Sequence, residues 1–270
     1  MTPNEIKVER QGRVAIVALS HGRMNTVTLD MTRALGRVLT ELEADESVGA
    51  LVLTGDGDHA FCAGSEIREF PRLSAEREIV SSKLGPENEV YGRVAHFPKP
   101  TVAAIEGIAL GGGLELAAGC DMLVASENAR MGLPEVKLGG FPGSGGTVRV
   151  TRRIGMGRAK EMMLLGDMIS PETALAWGLI NRIAPTGEAK AVALELATRL
   201  ADAPAQAVYA CKTALENAFD FPEAEAIARS LDLSETLSQT SDFKEGVTAF
   251  IEKRPARFSD VLATADFLVR

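Results

Sequence analysis

Short, nearly unbroken apolar runs recur along this chain, and they limit its fold more than any other feature. GALVLTG (49–55), TVAAIEG (101–107) and DMLVAS (121–126) are each too short for a stable helix and carry no regular polar alternation. Such runs read as strands buried on both faces, as in a parallel sheet covered by helices. Helical periodicity fills part of the space between them. Residues 29–43 place Met31, Leu35, Val38, Leu39 and Leu42 on one face, with Thr28 as the N-cap. Upstream, IKVER and VAIVALS flank Gln11-Gly12 and predict a hairpin. Residues 72–97 are polar and partly helical, interrupted by Gly85-Pro86. Strands and helices alternating at this spacing predict a mostly parallel α/β core.

The pattern changes after Thr147. Helical periodicity marks residues 157–165, 170–177 and three longer segments beyond residue 186, and only LINRIAP (179–185) still reads as extended. The expected organisation is an α/β core over residues 1–190 and a helical region over residues 191–270. The apolar faces of that region either cover the core or pack on another subunit.

Composition excludes several functions. Apolar residues make up 46% and charged residues 24%, as in ordinary globular enzymes. Glu106 and Glu115 break the longest apolar stretches, so no membrane span is expected. MTPNEIKVERQGR lacks the apolar core of a signal peptide, and a cytoplasmic location is expected. Cys62, Cys120 and Cys211 form an odd, scattered set, which reads as reduced thiols. His21, His59 and His96 fit no metal-ligand spacing, so no metal is expected. The net charge of −8 argues against nucleic acid as a partner. A phosphate-bearing ligand would need local cations or amide donors.

Four segments carry candidate chemistry. GDGDHA (55–60) follows a strand and matches a dinucleotide fingerprint, but two aspartates beside a pyrophosphate and no clear helix make it an acidic turn. Pro142-Gly143-Ser144-Gly145 fails the nucleophile-elbow pattern at position 142, and no P-loop is present. Gly111-Gly112-Gly113 stands between a strand and a helix, where free amides and the positive end of the helix dipole accept an anion or an oxygen becoming one. FCAGSE (61–66) is a second small-residue loop after a strand. Glu115 lies one turn into the helix after the glycines, and Glu135 follows Pro134 in a glycine- and proline-rich loop. Two carboxylates sharing a site can act as acid and base if their surroundings separate their proton affinities.

In this order and spacing, the pieces resemble the enoyl-CoA hydratase/isomerase (crotonase) family, from VAIVALSHGRMNTVTLDM to FIEKRPARF. Residues 98–153 carry the most specific likeness, and FCAGSEIREF resembles the family's first oxyanion-loop motif. The resemblance implies a spiral of ββα units with a C-terminal helical region that builds trimers or dimers of trimers. It implies an acyl-CoA substrate, an oxyanion hole from the amides of Ser65 and Gly112, and Glu115 and Glu135 holding a water between them as in hydratases. It places CoA contacts at Ala63, Gly64, Ser65 and Ile67, with Phe250 and Lys253 reaching a neighbouring subunit's adenine and phosphate. It implies no cofactor, since coenzyme A belongs to the substrate. Isomerases and other acyl-CoA lyases of the family share the oxyanion pair, but isomerases typically keep only the acid matching Glu135. Non-catalytic acyl-CoA binding is a further alternative. RNA-binding relatives use a basic helix face, whereas residues 29–45 mix Arg33 and Arg37 with Asp30, Glu41, Glu43 and Asp45. Two positions depart from the family pattern: Ser65, often alanine, and Glu66, usually aspartate.

Overall fold

The computed structural model describes residues 5–262; residues 1–4 and 263–270, the outer ends of the two expected regions, lie outside the described residues. β1 (Ile6–Gln11) and β2 (Val14–Leu19) form the expected antiparallel hairpin. α1 (Leu29–Ala44) follows, and Thr28 Oγ1 caps it by accepting from Met31 N–H at 3.0 Å. The next strands come in pairs: β3 (Ala50–Gly55) with β4 (Ala60–Cys62), β5 (Thr101–Ile105) with β6 (Ile108–Leu110), and β7 (Met122–Ser126) with β8 (Arg130–Gly132). Helices follow each pair. They are α2 (Phe70–Glu76) and α3 (Gly85–Ala95) after β4, α4 (Gly112–Ala117) after β6, and α5 (Gly146–Ile154), α6 (Met156–Leu165) and α7 (Pro171–Trp177) after β8. This repetition is the expected ββα spiral.

The first strand of each pair joins a six-stranded sheet, order β1-β2-β3-β5-β7-β9, with β9 (Arg182–Ala184) at its edge; the second joins a parallel sheet, order β4-β6-β8. From β2 onward the large sheet is parallel. Its apolar runs alternate between two cores. Leu51, Leu53, Ala103, Ile105 and Leu123 pack with α1, α3 and α4, while Ala50, Val52, Val102, Ala104 and Val124 face α8 (Ala189–Ala201). Ala189, Ala193, Ala197 and Ala201 give α8 a flat face that lets it lie close to the sheet. Burial on both faces is why these strands read as unbroken apolar runs.

Several expectations need correction. β4, β6 and β8 lie in segments where the sequence predicts no strand. Each has three residues and pairs only with partners far along the chain, so no local periodicity marks it. Gly85-Pro86 does not interrupt the helical stretch: a π-turn, Val80–Leu84, runs directly into α3. Pro86 falls at the junction, where the wider bond from Gly85 N–H to Val80 O has already replaced the α-helical pattern. Among the described residues four helices, not three, follow residue 186: α8, α9 (Ala205–Asp220), α10 (Glu223–Ser238) and α11 (Ser241–Glu252). The break between the last two needs neither glycine nor proline, because Thr240 caps α11 through Phe243 N–H.

α10 buries no residue, and Leu215, Phe219, Ile227, Leu231, Phe243 and Val247 leave apolar surface exposed across α9–α11. Among the described residues no helix is long and apolar enough to cross a membrane.

Candidate active site

The small sheet delivers the site. β4 carries a bulge: Ala60 pairs with Ile108 and Cys62 with Ala109, leaving Phe61 as an extra residue that is fully buried. Bulges re-aim the chain that follows them, and here that chain is Ala63-Gly64-Ser65. An isolated parallel bridge joins Ser65 to Val27. Val27 N–H donates to Gly64 O, and Glu66 N–H donates to Val27 O, each at 2.9 Å. Those bonds use the flanking groups, so Ser65 N–H points to the opposite side. There it meets the glycine turn: a β-carbon on Gly64 would lie 3.4 Å from Gly112 N, and one on Gly112 would lie 3.6 Å from Ser65 N.

Each of the three consecutive glycines answers a different demand. Gly111 has φ +52°, a left-handed conformation that glycine adopts freely, and a β-carbon there would meet Glu135 Oε1 at 3.1 Å. Gly112 opens α4, so its N–H has no partner within the helix. Gly113 packs against the backbone of Cys62; a β-carbon would fall 2.2 Å from that carbonyl oxygen. The turn is therefore pressed on both sides, between Glu135 and β4.

Both glutamates converge on this turn. Glu115 is buried in α4, and its Oε1 accepts from Ser144 N–H and Gly146 N–H, each at 2.8 Å. Burial pushes its carboxyl up to about 7, and the charge of nearby Glu135 adds to this against the pull of the Gly146 and Ser144 amides. Glu135 begins a 3₁₀ turn, Glu135–Leu138, just after β8. Burial raises its carboxyl too, and its buried Oε2 has no hydrogen-bond partner. The two amides that donate to Glu115 offset part of the effect of its burial, whereas Glu135 Oε2 has no such donor. Two such carboxyls beside each other hold one proton more readily than none.

The sequence reading missed the residues behind these groups. The Ser144 and Gly146 amides come from the loop rejected as a nucleophile elbow. Glu87 and Lys83, both buried, form an ion pair at 3.3 Å, and Glu87 accepts from the hydroxyls of Ser65 and Ser144. The phenol of Tyr91 is buried without a hydrogen-bond partner, and a β-carbon on Gly112 would lie 3.5 Å from it. Nothing in a polar helical stretch singles out Glu87 or Lys83, although the PGSGG run does flag closely approached backbone.

The remaining expected residues fall at the margins. Ala63 and Gly64 directly precede Ser65, with Gly64 buried and Ala63 half-buried, and Ile67 is exposed. Glu66 accepts from Thr26 Oγ1 at 3.0 Å and caps the turn Ile67–Glu69 through Arg68 N–H, so this departure from the family pattern is met by local bonds. Phe250, 86% exposed, and Lys253, with φ 54°, stand at the end of α11 without a hydrogen bond to the central cluster. The acidic turn at GDGDHA holds no helix; Asp56 pairs with Lys7 at 2.6 Å. Cys62 and Cys120 are buried thiols pushed up to about 12 by desolvation, the inert behaviour expected of structural cysteines.

Two unengaged amides facing one point, with two carboxylates beside them, can stabilise a carbonyl oxygen as it gains charge while moving protons nearby. The ββα spiral carrying this site is the crotonase fold. A solved enoyl-CoA hydratase from Bacillus anthracis superposes with a TM-score of 0.89 at 34% identity, covering 94% of this chain and 98% of that one. The enoyl-CoA hydratase/isomerase profile matches residues 9–261, and the chain belongs to that family. A short-chain-enoyl-CoA hydratase of Clostridium acetobutylicum is 36% identical over 94% of this chain and 97% of its own length. A mitochondrial enoyl-CoA hydratase of Pongo abelii is 37% identical over 94% of this chain and 88% of its own.

Proposed function

We propose that this chain is an enoyl-CoA hydratase, adding water across the 2,3 double bond of a 2-enoyl-CoA thioester to give the 3-hydroxyacyl-CoA. The observation that carries the reading is the convergence of Glu115 and Glu135 beside the amides of Ser65 and Gly112. The thioester oxygen accepts from Ser65 N–H and Gly112 N–H. Water attacks the β-carbon, Glu115 takes its proton, and the charge passes through the double bond to that oxygen as an enolate. Fixed amides stabilise it without reorganising, and one such donor is worth about 100- to 1000-fold in rate. Glu135 then delivers its proton to the α-carbon. Oxygen and both protons come from water once the carboxylates exchange the proton back, so the chemistry calls for no metal or redox cofactor. A site with a single carboxylate would suit isomerisation, and Glu115 is what favours hydration.

The rest of the ligand is assigned on chemical grounds. Ala63, Gly64 and Ile67 lie within two residues of Ser65 and would meet the CoA arm. Phe250 and Lys253 would serve a neighbouring subunit's adenine and phosphate. The exposed apolar residues of α9–α11 support assembly as a trimer or a dimer of trimers. The test is loss of the conjugated-thioester absorbance with crotonyl-CoA and longer 2-enoyl-CoAs. Turnover that appears only with 3-enoyl-CoAs would sink the hydratase reading.

A further inference from the structure

We propose that Glu87 is a positioning residue: one buried carboxylate ties the loop bearing the Ser65 amide to the loop that holds Glu115, with Lys83 as its countercharge. The kinetic part of this proposal rests on the hydratase reading.

Glu87 lies in the first turn of α3 with no exposed surface. Ser65 Oγ donates to its Oε1 at 3.1 Å, with Oε2 at 3.3 Å, and Ser144 Oγ donates to Oε2 at 2.8 Å. Ser144 also donates its N–H to Glu115. A continuous path, Ser65–Glu87–Ser144–Glu115, thus joins an oxyanion donor to a carboxylate. Lys83, one turn earlier, holds the same loop from behind. Its Nζ reaches Val27 O at 2.6 Å and Glu69 Oε2 at 2.7 Å, and Val27 is the bridge partner of Ser65. The pair therefore grips the oxyanion loop at two points and the Glu115 loop at one. It spans the π-turn and α3, and π-turns concentrate where function outweighs regularity.

Stability alone does not account for this cluster. A buried ion pair is commonly no more stabilising than apolar side chains of the same volume, and the buried Ser144 hydroxyl adds desolvation. The gain is geometric: it fixes the amides relative to the carboxylate, where a misplacement of about 1 Å can cost on the order of 100-fold in rate.

The test uses full-length protein, crotonyl-CoA kinetics and amide hydrogen exchange. Lys83→Met/Glu87→Leu removes both charges together and strands neither. Its kcat should fall about 10- to 100-fold with KM within about twofold. Ser144→Ala should lower kcat about 5- to 10-fold, yet change it less than about twofold when added to the pair variant, because its hydroxyl then has no carboxylate to lose. Exchange should rise together in residues 64–66 and 144–146 of the pair variant. Ser65→Ala/Ser144→Ala leaves the ion pair intact and serves if the pair variant fails to fold; its kcat should fall with KM held. Wild-type kcat in these folded variants, multiplying independent effects, or unchanged exchange in both segments overturns the clamp. A wild-type protein that turns nothing over, with the exchange coupling present, ends the hydratase assignment and leaves the clamp standing.

Discussion

Gly146 and Glu115 are packed so closely that a β-carbon on Gly146 would lie 2.8 Å from Cγ and 2.9 Å from Oε1 of the glutamate. The Gly146 N–H can donate to that carboxylate because nothing stands between them. Gly146→Ala should displace Glu115 rather than the helix. We expect kcat on crotonyl-CoA to fall about 10- to 100-fold with a smaller change in KM. Unaltered kcat in a folded Gly146→Ala protein would separate Glu115 from the chemistry.

Glu115→Gln and Glu135→Gln should each lose on the order of 100- to 10,000-fold in kcat, as expected when a proton-transfer group is removed. Circular dichroism should show both variants folded. Rapid turnover in either would falsify the two-carboxylate mechanism.

The proton affinity of Glu115 also predicts how stability varies with pH. Its carboxyl moves from 4.5 to about 7 because burial disfavours the ion. A raised folded-state value favours folding below the unfolded value and loses that contribution as pH rises through the folded one. Wild type therefore carries a penalty above pH 7 that Glu115→Gln does not. With about 1.4 kcal/mol per tenfold change in proton affinity, the difference is at most on the order of 3 kcal/mol. The Tm of Glu115→Gln relative to wild type should rise between pH 4.5 and pH 7.5. A constant difference across that range would show that Glu115 is not desolvated.

Neighbouring glycines should separate activity from folding. The nearest atoms to a β-carbon on Gly112 are 3.5 Å away, an ordinary contact, so Gly112→Ala should fold. It would nonetheless fill space in front of Ser65 N–H, lowering kcat/KM about 10-fold or more, and Gly112→Val should lower it further. At Gly113 the same atom would collide with Cys62 O at 2.2 Å, so Gly113→Ala should lose soluble, folded protein. Equal activity in Gly112→Ala and wild type would remove Gly112 from the oxyanion role.

At the far end of the chain, Lys253→Ala should raise KM for the CoA substrate with little change in kcat, and more at low salt than at high salt. Sedimentation should find a trimer or its multiple. A monomer, or an unchanged KM at low ionic strength, counts against the assignment of Lys253.

Much of this was legible because the large sheet is buried on both faces. Leu51 to Leu53 and Val102 to Ile105 announce themselves as strands, and Thr28 announces α1. The glycine turn and both glutamates stood out through the family likeness and the turn chemistry of Gly111–Gly113. The small sheet did not, since three-residue strands lack a period and their pairing partners lie far along the chain, as Ala60 with Ile108 and Ile108 with Arg130 illustrate. Glu87 was invisible for another reason: a glutamate in a polar helix reads as solvated, and only the fold turns it inward.

The small sheet acts as a ruler. β4, β6 and β8 lead to Ser65, Gly112 and Glu135 in turn, and the pairing of Ile108 with Arg130 and of Leu110 with Gly132 fixes how far each loop extends. A slip of one residue would move one loop by about 3.3 Å, longer than a hydrogen bond. Alignment in this site is therefore stepwise: the ladder is either in register, with every donor aimed, or out of it, with none.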